Sequence, residues 1–223
     1  MFDPKVPVLA SVAFLALTLL SGCTSFPETA AGQGHDTGRL PLRAEAVRPL
    51  DVGQTVPSAR IYTVEGEATD IRDVIRRQPT VLIFYRGGWC PYCSRHLGDL
   101  GGVEEDLRRA GYQIIAVSPD RPKYLKSALK EEEYGYTLMS DHEANAIRAF
   151  GLAYQVGSET FQSYVSKGID LEERSGAGHR ILPVPAAYVV DEAGVIRFAY
   201  WNPDYRQRVD VDRLLQAARR ARK

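Results

Sequence analysis

The chain has 223 residues, 28 basic and 28 acidic side chains and 44% hydrophobic residues, enough for one domain whose core folds without disulfide staples. A formal charge of zero argues against a dedicated nucleic-acid binder, which would carry a basic surplus against phosphate. Three cysteines are too few for a disulfide scaffold, and their placement, Cys23 alone and Cys90 paired with Cys93, carries most of the functional argument.

Val6 to Leu20 is an uncharged, mostly apolar run preceded only by Asp3 and Lys5. It is shorter than the roughly 20 apolar residues of a membrane span and suits the core of a signal peptide. The run ends in Leu20-Ser21-Gly22-Cys23, which resembles the lipobox of bacterial lipoproteins, where the peptide is cut before a cysteine that becomes lipidated. The expectation is a signal peptide over 1–22, lipidation at Cys23, a flexible tether over 23–49 and one functional domain over 50–223. An uncleaved anchor helix is the other reading of the same run. Both place the domain at a membrane outside the cytoplasm. Thr24, rather than Asp, after the cysteine leans towards the outer membrane by the same resemblance. His35 in the tether is incidental.

Within the domain, Val52 to Ile75 suggests a short hairpin turning at Glu65-Gly66-Glu67, with a helical turn after Asp70. Thr80 to Tyr85 is a continuous apolar run, the mark of a strand buried on both faces. Leu97, Leu100, Val103 and Leu107 define a helix face that Gly98, Gly101 and Gly102 weaken. A second buried strand spans Tyr112 to Val117, then a helix from about Arg121 to Tyr134, a short strand at Thr137 to Met139, and a helix from Glu143 to Phe150 stopped at Gly151. Residues 154–180, rich in Gly and Ser, read as an irregular insertion or active-site flap. Ala187 to Val190 and Val195 to Trp201 form a hairpin, and a helix from Asp210 to Arg222 closes the chain. Its surroundings, seven basic against two acidic residues from Arg206 to Lys223, read as a solvated helix end. Strands alternating with helices give an α/β fold with a mixed central β-sheet flanked by helices.

Directly after the first buried strand stands Arg86-Gly87-Gly88-Trp89-Cys90-Pro91-Tyr92-Cys93. A helix beginning at Pro91 puts Cys90 at its N-terminus, where free N–H groups and the positive dipole end stabilise a thiolate. Pro91 suits the first helical position because its missing N–H is not needed there. Cys93 falls on the same helix face, within reach of Cys90. Arg86 either adds positive charge beside the thiolate or is a surface side chain. Haem attachment fails because Ser94 stands where His is required. A zinc site lacks ligands, with only His96 at a usable spacing. A disulfide closing so short a loop would be reducible rather than a staple. A redox-active pair with no cofactor and no metal is the reading that remains.

The segments Phe84 to Cys93, Ile115-Ala116-Val117-Ser118-Pro119, Leu182-Pro183-Val184-Pro185, Tyr188-Val189-Val190-Asp191, Gly194-Val195-Ile196-Arg197 and Asn202-Pro203-Asp204-Tyr205 resemble, in collinear order, the thioredoxin-fold superfamily. More narrowly they resemble peroxiredoxin-like members of the alkyl hydroperoxide reductase/thiol-specific antioxidant family. The resemblance implies a thioredoxin-like fold and a thiol peroxidase that reduces hydrogen peroxide or organic hydroperoxides. It also implies recycling by a thioredoxin-like electron donor, Cys90 as peroxidatic nucleophile and Cys93 as resolving thiol. Trp89 would pack over the cysteines or simply into the core, and Pro185, by position, is the cis-proline that faces such a pair. Two positions depart from the family. The Pro and Thr or Ser expected seven and three residues before the nucleophile are Ile83 and Gly87, and Pro185 and Ala186 stand where an Arg precedes the late strand. Those departures keep a thiol–disulfide oxidoreductase acting on protein thiols as the alternative. A copper-binding thioredoxin-fold chaperone using His179 is a further one. His96 and His142 are expected on the surface.

Overall fold

The computed structural model describes residues 39–131 and 135–222, so the expected signal peptide, Cys23 and His35 lie outside the described residues. The first described residues are not a free tether. Val47 and Leu50 are buried, Leu40 and Ala44 pack against the same cluster, and backbone bonds tie Arg48 and Leu50 to Gly151 and Phe150. The compact unit begins at Arg39, which moves the expected boundary at residue 49 towards the N-terminus.

A hairpin of β1 (Arg60–Tyr62) and β2 (Ala68–Asp70) leads into the short α1 (Ile71–Ile75), whose N-cap Asp70 accepts from the Arg72 N–H. The apolar run at Thr80 forms β3 (Thr80–Phe84), buried at every position. After it come α2 (Pro91–Gly101), α3 (Glu104–Arg109), β4 (Gln113–Ser118), α4 (Pro122–Glu131), β5 (Thr137–Ser140) and α5 (Asn145–Ala149). Next are β6 (Ala153–Gln155), α6 (Ser158–Val165), α7 (Leu171–Ser175) and β7 (Ile181–Pro183). The chain finishes with β8 (Ala186–Val190), β9 (Ile196–Trp201) and α8 (Val211–Ala221). The main sheet runs β2-β1-β5-β4-β3-β8-β9, with β3 parallel to β4 and antiparallel to β8.

Strand alternation divides the core into two layers. Leu82, Phe84, Ile115, Val117 and Tyr188 face one side, where they meet Ile71, Ile75, Ile147, Phe150 and the N-terminal Val47. Val81, Ile83, Ile114, Ala116 and Val189 face the other, against Leu97, Leu100, Leu107, Leu214 and Leu215. Both cysteines of the pair belong to this second layer. The helix face expected from Leu97 to Leu107 is split between α2 and α3, because Gly101, Gly102 and the non-helical Val103 interrupt it. A Cβ on Gly98 or Gly101 would meet nothing within 4 Å, so close packing does not explain these glycines.

The stretch expected to be irregular, 154–180, is largely regular. It holds α6 and α7 between β6 and β7, which pair antiparallel with each other. Phe161, Leu171, Val156 and Leu182 form a small core of their own. Asp170 caps α7 by accepting from the Glu172 and Glu173 N–H groups, and Gly176 ends it at φ +75°. Among the described residues no helix is long and apolar enough to cross a membrane.

Candidate active site

The strand β3 delivers the chain to the end of the sheet, and six residues, Tyr85 to Cys90, separate it from α2. Gly87 makes that loop possible. Its φ is +140°, and a Cβ there would lie 2.3 Å from the Trp89 Nε1 and 2.9 Å from an Asp120 carboxylate oxygen. Asp120, at the far end of β4, accepts from the Gly88 N–H at 2.8 Å and holds Arg174 of α7 through two hydrogen bonds of 3.0 Å. Burial pushes the Asp120 carboxyl up, while the Arg174 charge and the Gly88 N–H pull it back. The loop is thereby fastened to the 154–180 region.

Cys90 is the N-cap of α2 and Pro91 its first residue, so the carbonyl of Cys90 accepts from the N–H groups of Cys93 and Ser94. Cys90 and Cys93 are both buried and both free thiols. Their acidities diverge. A hydrogen bond from the Cys93 thiol is the main cause that brings Cys90 down to about 6; burial opposes it, and the Cys93 N–H, Arg86 and Arg208 reinforce it. Cys93 is pushed well above the ordinary thiol range, chiefly because it donates that bond and because it is buried. At neutral pH the pair is one thiolate and one thiol.

Arg86 is a buried cation, 2% exposed, with Nη1 at 4.0 Å from the Cys90 Sγ. Aromatic rings enclose it. The guanidinium lies 4.1 Å from the ring centre of Tyr205, 4.9 Å from that of Trp89 and 5.6 Å from that of Tyr164. It also donates to the Tyr164 hydroxyl and bonds the hydroxyl of Tyr154, whose own acidity burial weakens to about 12. Its Nε–H, also buried, has no hydrogen-bond partner among the described residues. Trp89 is half-buried and packs on the Tyr164 ring at 5.6 Å, bridging the cysteine layer and the small core of the 154–180 region.

Arg208, in the loop before α8, donates from Nη2 to the Cys93 Sγ at 3.2 Å. This basic segment, expected as a solvated helix end, thus sends one arginine inward. His96, expected on the surface, is 6% exposed, and its Nε2 has no hydrogen-bond partner. Desolvation, aided by the Arg208 charge, holds its imidazole down at about 4, so it is neutral. His96, Arg208, Pro185, Phe84 and Tyr200 line one small cavity beside the pair, which is where the structure places Pro185. His142 is also partly buried, 4.4 Å from the Tyr62 ring. His179 donates from Nε2 to the His142 carbonyl, and its Nδ1 accepts from the Ile181 N–H. Both of its ring nitrogens are thus occupied by backbone, and no group of three or more metal-ligating side chains exists among the described residues.

Two free thiols one helical turn apart, the first at a helix N-terminus, stand on a thioredoxin-like fold. The crystal structure of peroxidoxin BcpB from Mycobacterium tuberculosis has that fold, with a TM-score of 0.60 at 15% identity over 78% of this chain and 99% of that one. Reduced Prx3 from Vibrio vulnificus in complex with hydrogen peroxide superposes with a TM-score of 0.61 at 18% identity over 76% and 99%. The model of the AhpC/TSA family matches residues 52–199, and the chain belongs to that family. Among curated proteins it is similar to the putative peroxiredoxin bcp of Haemophilus influenzae, 25% identical over 150 residues covering 67% of this chain and 85% of the relative. It is similar also to peroxiredoxin Bcp of Escherichia coli, 24% identical over 154 residues covering 69% and 87%. The protein is a peroxiredoxin-like oxidoreductase, a thiol-dependent peroxidase.

Proposed function

We propose that the protein reduces hydrogen peroxide or organic hydroperoxides through Cys90, that Cys93 resolves the product, and that a thioredoxin-like dithiol recycles the pair. The observation that carries this is Cys90 at the N-cap of α2 with Cys93 one turn on, Arg86 and Arg208 at their sulfurs, in a chain of the AhpC/TSA family. The Cys90 sulfur attacks one peroxide oxygen, the O–O bond breaks, and the departing oxygen takes a proton to leave as water or alcohol, with sulfenic acid on Cys90. The Cys93 sulfur then displaces that oxygen as water and an intramolecular disulfide forms. Two electrons from the donor dithiol restore both thiols.

Peroxide cleavage is helped by donors aimed at the oxygen where charge develops. Gly87 and Pro185 supply no side-chain donor where family members carry Thr and Arg. Arg86 reaches the same neighbourhood from a different position, with an Nε–H that no protein group uses. The reading is tested by following hydroperoxide consumption with excess dithiol. Turnover should vanish in Cys90→Ser, and wild-type turnover no faster than that variant overturns the reading.

A second reading, oxidation or reduction of protein thiols, is supported by Gly87 and Pro185 standing where the family carries its Thr and Arg. Turnover of a protein disulfide with no peroxide turnover would establish it. The lipobox-like Leu20-Ser21-Gly22-Cys23 supports a further part of the proposal, a lipid-anchored protein facing the periplasm. Recovery of the protein in the membrane fraction, and its loss in Cys23→Ser, is the expected result.

A further inference from the structure

Around the cysteine pair stand two cations, and they are divided between the sulfurs. Arg86 lies beside Cys90, whereas Arg208 donates directly to Cys93 at 3.2 Å. Neither forms an ion pair with a carboxylate among the described residues, and the nearby Asp204 is taken by Arg206. An arginine left without a carboxylate and directed at a sulfur is placed for the moment when that sulfur becomes negative.

We infer that Arg208 is a catalytic residue of the resolving step, holding the developing charge on Cys93 as it attacks Cys90. The inference rests on the peroxidase reading only for the identity of the oxidant. Cys93 is the reluctant partner of the pair, since burial and the bond it donates to Cys90 both keep its proton on. Once Cys90 is oxidised, that bond no longer meets a thiolate, and the remaining cation in contact with Cys93 is Arg208. In the step itself, the Cys93 sulfur supplies the electron pair of the new S–S bond. The Cys90 S–O bond breaks with its pair going to oxygen, and the Cys93 proton joins the departing hydroxide as water. Arg208 neither gains nor loses a proton; it offsets charge on sulfur while the proton is in transit.

The cavity behind the guanidinium supports this placement. His96 sits one turn beyond Cys93 and lines the cavity with Arg208, but its imidazole is neutral and takes no carboxylate there. Asp204 lies within electrostatic reach of Arg208 but is paired with Arg206, so no carboxylate among the described residues forms a salt bridge with the Arg208 guanidinium. Such a charge-assisted hydrogen bond accounts for a rate effect on the order of tenfold to a hundredfold.

The test separates the two steps and includes an arm that needs no peroxide. In the first arm the protein is mixed rapidly with hydrogen peroxide and quenched with a sulfenic-acid trap, and products are read by mass spectrometry. Arg208→Met should close the disulfide at least about tenfold more slowly, with trapped sulfenic acid and, at high peroxide, sulfinic acid appearing on Cys90. Arg208→Lys, which keeps the charge and loses the fork, should recover part of the rate. In the second arm Cys90 is converted by Ellman's reagent to its nitrothiobenzoate mixed disulfide, and Cys93 displaces the coloured thiolate. That release should slow by the same factor in Arg208→Met. A folded Arg208→Met variant that releases the thiolate at the wild-type rate overturns the inference. Wild-type Cys90 untouched by peroxide while the second arm shows the slowing would overturn the peroxidase reading and leave Arg208 in its role.

Discussion

Cys90 and Cys93 lie one helical turn apart, yet the polypeptide builds their surroundings over very different sequence distances. The groups that fix Cys90 at its helix end are mostly its near neighbours: the Arg86 charge, the tight turn at Gly87, the Gly88 N–H and the proline that starts α2. The charge on Cys93 comes from Arg208, 115 positions along the chain, and the cavity wall behind it from β8 and β9. The loop before Cys90 is itself held from afar, by Asp120 and Arg174 and by the Tyr164 and Tyr205 rings around Arg86, but the groups that touch Cys90 directly are local. A resolving thiol built from remote parts depends on the whole sheet and on the approach to α8, so the two thiols respond differently to damage in different places.

The largest expected effect breaks the local side. Gly87→Val must push a β-branched side chain into the space of Trp89 and Asp120 at a φ of +140°. A loss of stability of about 1–3 kcal/mol or more is expected, with the Cys90 alkylation rate at pH 7 falling alongside. Denaturant unfolding and iodoacetamide labelling measure both, and an unchanged unfolding midpoint would show that the loop does not need glycine. Next in size is Arg86→Met. Removing a positive charge near a thiolate raises the thiol pKa, and with the polarising donors also gone, peroxide oxidation of Cys90 should slow by about tenfold or more. The same experiment on Arg208→Met should move the Cys90 midpoint less, because Arg208 bonds the other sulfur. Equal effects of the two substitutions on Cys90 would erase the division between them.

The local half was legible in the sequence for a physical reason. A buried strand, a turn and a helix opening on proline are set by neighbours, and so β3, the start of α2 and the position of Cys90 follow from a dozen consecutive residues. The remote half was not. Arg208 follows Arg206 by two residues ahead of α8, and neither spacing nor composition distinguishes the one that turns inward from the other. His96 did leave a signal: with Cys93 three residues before it and Leu100 four after, it shares their buried face. The region 154–180 was misread because its helices are short and their surfaces polar, although the Asp170 cap and the Gly176 stop marked one of them. Ahead of residue 50, single apolar residues such as Leu40 and Val47 find a core only in three dimensions, for a similar reason.

The smallest effect is also the sharpest probe of how the pair shares a proton. With Cys90 at about 6, its alkylation rate should climb as pH rises through that value and level off above about pH 7, where the thiolate is saturated. The bond donated by Cys93 is the chief reason the midpoint is low. Cys93→Ala deletes the donor and should carry the midpoint upward by about one unit, whereas Cys93→Ser retains an O–H able to donate and should displace it less. At pH 8 all three proteins should be alkylated at nearly one rate, and at pH 6 they should separate, with Cys93→Ala slowest. If Ala and Ser leave the midpoint where it was, the low acidity of Cys90 comes from the helix end and Arg86 alone, and the two sulfurs are independent groups that happen to be neighbours.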